Sequence, residues 1–100
     1  YPTANIDAPA TAPSGIFAGL VLLRDHDYPA MIFVGEPTTV GSIVRRAEAH
    51  ILDFPDEDLY GEPVQFTILK HIRDNQHFES IDLLLKTMAQ DEQTIRAYFS

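Results

Sequence analysis

One hundred residues allow a single domain with one modest core, and a hydrophobic content of 45% with 22% charged residues is ordinary for a soluble globular chain. A formal net charge of −8 argues against a protein that tracks nucleic-acid phosphates and against an anionic membrane surface. With no cysteine there is no disulfide framework, no thiolate zinc site and no cysteine nucleophile. His26, His50, His71 and His77 lack metal-ligand spacing, no signal peptide is visible, and the apolar run from Gly15 to Leu23 is too short to span a bilayer. The chain opens at Tyr1, inside what reads as a structured segment, and is expected to be cut from something longer.

The first fourteen residues, rich in proline, alanine and serine, read as an extended arm or loop. Ile16 to Arg24 is apolar on both alternating faces and predicts a strand buried on both sides. Asp25-His26-Asp27 is expected to turn, with Tyr28 to Val34 returning as the second arm of a hairpin. Gly35 to Thr39 is a loop, and Ser42 to Phe54 is predicted as the third and longest strand. An acidic loop, Pro55 to Gly61, leads to a fourth strand on which Val64, Phe66, Ile68 and Ile72 alternate, with Lys70 breaking the pattern.

The period then changes. Ile81, Leu84, Leu85, Met88, Ile95 and Tyr98 fall on one helical stripe, with Ser80 as N-cap and Asp91 capping a second stretch after a kink. Strands followed by one terminal helix, in so short a chain, predict an antiparallel sheet closed or nearly closed on itself.

Two places carry chemistry. In Pro2-Thr3-Ala4-Asn5 an extended backbone puts the Thr3 hydroxyl and the Asn5 carboxamide on the same side. Neutral oxygens of this kind suit a magnesium ion whose other ligands are phosphates and water. Glu48 sits inside the strand-like run Arg45 to Leu52, where a solvated loop carboxylate is not expected. A hard-metal corner and one placed carboxylate are a minimal kit for moving a phosphoryl group onto an alcohol. Each also has a plainer reading. Pro-Thr-Ala-Asn is by itself a turn-and-cap sequence, and Glu48 alone is a structural carboxylate that Arg46 would pair. His50 reads as lining the site or, more plainly, as a satisfied strand histidine.

The same residues resemble the riboflavin kinase family, which in bacteria forms the C-terminal module of a bifunctional FAD synthetase. The resemblance runs through Tyr1 to Ile6, Pro13 to Ala18, Tyr28 to Met31, Gly35 and Pro37-Thr38. Its most specific stretch is Glu48 to Phe54 with Asp58 to Gly61, completed by Phe66, Ile72-Arg73-Asp74, Phe78 and Asp91. It implies a mainly β fold, a small antiparallel Greek-key β-barrel with a C-terminal α-helix. It implies transfer of the γ-phosphoryl of ATP to the ribityl 5′-hydroxyl of riboflavin, giving FMN, with Mg²⁺. Carried over by position, Thr3 and Asn5 would hold the metal and phosphates, and Glu48 would be the general base. Asp53, Tyr60, Arg73 and Asp74 would border the flavin, although Arg73-Asp74 also reads as an ion pair at a strand end.

The chain departs from the family pattern at Phe33-Val34-Gly35-Glu36, where Asn-Ile-Gly-x-Asn is usual. It also begins after the strand and glycine-rich loop that precede Pro-Thr-Ala-Asn in the family. A cytoplasmic location and a preceding adenylyltransferase domain go with the resemblance. Two functions compete: a flavokinase, and a non-catalytic flavin- or nucleotide-binding module on the same fold.

Overall fold

A computed structural model describes residues 2–9, 11–35, 44–55, 57–59 and 61–100 of the chain. Five strands precede one helix: β1 (Thr3–Pro9), β2 (Gly15–Leu23), β3 (His26–Val34), β4 (Val44–Ile51), β5 (Gln65–Arg73) and α1 (Ile81–Phe99). Every strand pair is antiparallel, in the order β1-β4-β3-β2-β5. Placing β1 beside β4 rather than beside β2 gives the Greek-key order that was expected. Closure was not met. β1 and β5 are the two edges of the described sheet and do not pair, so the domain is barrel-like and not a closed barrel.

Local chemistry moves several predicted boundaries. The N-terminal arm is a strand, because its alternating small residues Ala4 and Ala8 bury against β4 while Asn5, Asp7 and Pro9 face out. The β2–β3 turn is Arg24-Asp25, and His26 and Asp27 already belong to β3. Both turn residues have positive φ, 51° and 66°, as a two-residue hairpin turn matched to strand twist requires. β4 ends at Ile51 instead of Phe54, because Leu52-Asp53 turns the chain with Asp53 at φ 56°. Among the described residues β4 runs for 8 residues, against 9 each for β2 and β3. The readings on Tyr1, Glu36 to Thr39, Ser42, Asp56 and Tyr60 lie outside the described residues.

The sheet buries both faces, as the continuous apolar run of β2 predicted. Inside the curl, Phe17, Val21 and Leu23 meet Ala30, Ile32, Val34, Ala47, Ala49 and Ile51. On the other face, Ile16, Ala18, Met31 and Leu52 meet Ile95 of α1. Gly19 has no room for a side chain: a Cβ there would fall on the Thr67 carbonyl oxygen of β5 and on Ile32. β5 follows β2 with two register shifts, so its simple alternation is lost and Ile68 and Leu69 are exposed.

Ser80 caps α1 as expected. It is extended at φ −141° and ψ 154°, and its hydroxyl accepts the Leu83 N–H at 3.2 Å. Asp82 in the first turn and Arg96 in the last complement the helix dipole. No second helix begins at Asp91. That residue is buried within one continuous helix, where Arg73 neutralises it, so its carboxylate is a tertiary partner and not a cap. Of the predicted stripe, only Ile95 is buried. Ile95 is fully buried, which contributes on the order of 2 kcal/mol, whereas Ile81, Leu84, Leu85 and Tyr98 are exposed.

Candidate active site

The β1–β4 ladder assembles the site. Asn5 lies opposite Glu48, Thr3 opposite His50 and Asp7 opposite Arg46. Residues directly opposed across an antiparallel ladder share a face. The alternate positions Ala4, Ala47 and Ala49 bury inside the curl, which leaves Thr3, Asn5, Glu48 and His50 together on the other face. The row containing Asn5 and Glu48 continues across the sheet through Phe33 and Ile16 to Arg73. With strands about 4.8 Å apart, Asn5 and Arg73 stand roughly 19 Å from each other along that row.

Glu48 does not pair with Arg46. The Arg46 side chain reaches Asp7 at 3.5 Å, a fully solvated contact, and Glu48 Oε1 instead meets His50 Nε2 at 2.7 Å. The two partners differ in access: the Glu48 side chain is 46% exposed and that of His50 is 12%. The His50 ring also packs against Phe33, centroids 5.0 Å apart and tilted by 57°. His50 is thus a partly buried strand histidine whose ring touches the Glu48 carboxylate.

The donor set fits a hard cation. A hydroxyl from Thr3, a carboxamide from Asn5 and a nearby carboxylate are oxygen ligands suited to a magnesium ion that keeps several waters and binds phosphates. Thiolate or multi-histidine chemistry finds no basis here, and among the described residues no three His, Asp or Glu side chains gather. A cleft of about 440 Å³ opens along β1, bordered by Thr3, Asn5, Arg46, Asp58, Gly61 and Val64; Glu48 and His50 do not line it. A second cleft, about 480 Å³, lies at the hairpin end between Leu22, Arg24 and Glu62, and it shares Glu62 and Val64 with the first. There Arg24 is held at 2.7 Å by both Glu57 and Glu62, which raise its pKa.

Asp53, Arg73 and Asp74, expected to border flavin, sit elsewhere. Asp53 is an exposed turn residue whose carboxylate meets Arg96 of α1 at 2.8 Å, and that hydrogen bond and charge lower its pKa. Arg73 is clamped to Asp91: Nε donates to both carboxylate oxygens at 3.0 Å and a terminal nitrogen donates at 2.8 Å. Its other terminal nitrogen donates to the Asp74 carbonyl at 3.1 Å, while the Asp74 carboxylate pairs with His71 at 2.9 Å. The Arg73 guanidinium also lies 5.6 Å from the Phe78 ring centroid. Asn75 ties this loop to the end of β3 by donating to the Val34 carbonyl at 3.0 Å. Asp53 and Arg73 thus fasten α1 to the sheet from two sides. Neither joins the Thr3–Glu48 cluster. Sequence reading missed Phe33 beneath His50 and the Arg73–Asp91 clamp. The only signal for Phe33 was an apolar residue at strand period.

Taken together, these features define a small antiparallel Greek-key domain, capped by one helix, with a cluster of hard oxygen donors on its sheet. The chain belongs to the riboflavin kinase family: the family model described as Flavokinase: Riboflavin kinase matches residues 1–99. It is similar to the bifunctional riboflavin kinase/FMN adenylyltransferase of Escherichia coli K12, 36% identical over 102 residues. That match covers 99% of this chain and 32% of the relative. It is also 27% identical to the riboflavin kinase of Mus musculus, covering 90% of this chain and 63% of that protein. Among solved structures it resembles a crystal structure described as a macrolide-efflux protein from Streptococcus pneumoniae. There the TM-score is 0.81 and the identity 35%, over 96% of this chain and 32% of the other. Among the described residues, no helix is long and apolar enough to cross a membrane.

Proposed function

We propose that this domain is a flavokinase module that transfers the γ-phosphoryl group of ATP to the 5′-hydroxyl of riboflavin. The observation that carries the reading is the placement of Glu48 directly across the ladder from Asn5, with Thr3 on the same face. A bond forms between the ribityl oxygen and the γ-phosphorus, the bond from that phosphorus to the bridging oxygen breaks, and FMN and ADP leave. Glu48 takes the hydroxyl proton as the new bond forms. Phosphoryl transfer asks little covalent chemistry of the protein, so positioning and charge neutralisation do most of the work. Thr3 and Asn5 would hold Mg²⁺, which supplies neutralisation of the phosphate charge. In a chain of net charge −8 that neutralisation has to be local.

The flavin is assigned to the flank bordered by Asp53, Arg73 and Asp74; Tyr60, expected to contact it too, lies outside the described residues. Phe33, partly buried and next to Glu48 in the same row, offers an apolar surface toward that side. The names of the Escherichia coli and mouse relatives support the activity, and the former supports an adenylyltransferase domain as a companion in the same polypeptide. ATP as co-substrate favours the cytoplasm. The test is incubation of the full-length protein with riboflavin, ATP and Mg²⁺. FMN and ADP should appear in equal amounts. Riboflavin binding without FMN formation would make the domain a non-catalytic flavin-binding module.

A further inference from the structure

We infer that His50 is a positioning residue for the phosphoryl transfer, fixing the Glu48 carboxylate through Nε2. The inference rests on the assignment of Glu48 as the base. A carboxylate only accepts hydrogen bonds, so at 2.7 Å the Nε2 of His50 carries the hydrogen when Glu48 is ionised. This bond occupies Oε1 and leaves Oε2 as the oxygen that takes the hydroxyl proton.

Order passes from the buried partner to the exposed one. The Glu48 side chain has three rotatable bonds and is 46% exposed, so without a tether it samples many rotamers. His50 has two rotatable bonds, is 12% exposed and lies against Phe33 at 5.0 Å. Its backbone is held from both sides, because β4 pairs with β1 through Thr3 and with β3 through Met31. A contact with so exposed a carboxylate contributes little to stability. What it does is restrict geometry, and misplacement of a reacting group by about 1 Å costs about 100-fold in rate.

The experiment compares His50→Phe, His50→Gln, Glu48→Gln and the double variant Glu48→Gln/His50→Phe in the full-length protein. Phenylalanine keeps a flat ring against Phe33 and removes the donor, and glutamine supplies an amide N–H at a similar reach. The expected result for His50→Phe is a fall in kcat of about 10- to 100-fold, with KM for riboflavin and ATP within about twofold. His50→Gln should recover kcat to within about threefold of wild type, and His50→Phe should add no further loss to Glu48→Gln. Riboflavin binding and thermal melting establish that each variant is folded, and His50→Met replaces His50→Phe if the latter does not fold. The inference is overturned if the donor-free variant keeps wild-type kcat, if glutamine fails to rescue, or if the losses in the double variant multiply. Should Glu48→Gln itself turn over at the wild-type rate, the base assignment falls first and the inference with it. A slow Glu48→Gln beside an unaffected His50→Phe rejects the role of His50 alone.

Discussion

Asn5 and Glu48 face each other across the β1–β4 ladder. Antiparallel pairing brings a carboxamide near the start of the chain against a carboxylate in its middle. Because side chains alternate with period two, a slip of one residue between β1 and β4 would turn Asn5 and Thr3 to the opposite face from Glu48. Burial of Ala4 and Ala8 inside the curl fixes the register. The site is therefore as well placed as the core beneath it.

The Thr3 and Asn5 side chains offer oxygens, and neither removes much apolar surface from water. We predict that Thr3→Ala and Asn5→Ala each weaken binding of Mg-ATP by about 10-fold or more while riboflavin affinity changes less than about threefold. Separate calorimetric titrations with the two ligands check it. Equal losses for both would indicate a folding defect, and no loss for either removes the metal role.

The Arg73–Asp91 clamp predicts an asymmetry. The Asp91 side chain is 6% exposed and that of Arg73 is 20%. Arg73→Ala leaves a buried carboxylate without its partner and should cost about 3 kcal/mol of stability. Asp91→Asn should cost less, because Arg73 keeps water and the Asp74 carbonyl as partners. Urea unfolding of both variants measures the difference. Equal small losses would show that the clamp does not hold the helix.

Asp53 predicts a pH dependence. Its folded pKa lies below the ordinary 3.8 because Arg96 bonds to the carboxylate, so in that range the unfolded chain binds more protons. The contribution is present above pH 3.8 and is lost as pH falls through the folded value. Asp53→Asn keeps the left-handed turn, which asparagine tolerates, and removes the charge. Stability curves of wild type and variant should run apart at neutral pH and converge in acid. Curves that stay parallel down to acid pH would contradict the pairing.

Gly19 allows β5 to lie close to β2. Gly19→Ala would drive a methyl group into the Thr67 carbonyl and Ile32, and we expect a loss of about 1–3 kcal/mol. A melting temperature equal to or above that of wild type would show that β5 yields easily.

Much of the architecture was legible. The apolar run of β2, the change of period at Ser80 and the strand-like setting of Glu48 all reappear in the structure. The misses have physical causes. Arg24, Asp25 and Asp53 adopt positive φ without being glycine, so the β2–β3 turn was expected one residue late and the turn at Asp53 was missed. Asp91 looks like a cap because aspartate often is one. Only the tertiary approach of Arg73 makes its burial tolerable. The exposed stripe at Ile81, Leu84 and Leu85 shows that helical period predicts an apolar face and not what covers it. In the site, Thr3 and Asn5 were recognisable as a pair because two-residue spacing is local. Their register with Glu48, and the buried His50 that contacts it, depend on strand pairing that local spacing does not encode.

The central claim is that Glu48 is the base that moves the ribityl proton, and the single-turnover rate of Glu48→Gln in the full-length protein tests it most directly. The variant, preloaded with saturating riboflavin, is mixed with Mg-ATP, and FMN is followed by rapid quench. The account predicts near wild-type affinity for both ligands and a chemical step slowed by about 10²- to 10⁴-fold. A Glu48→Gln protein that forms FMN in a single turnover as fast as wild type would contradict it.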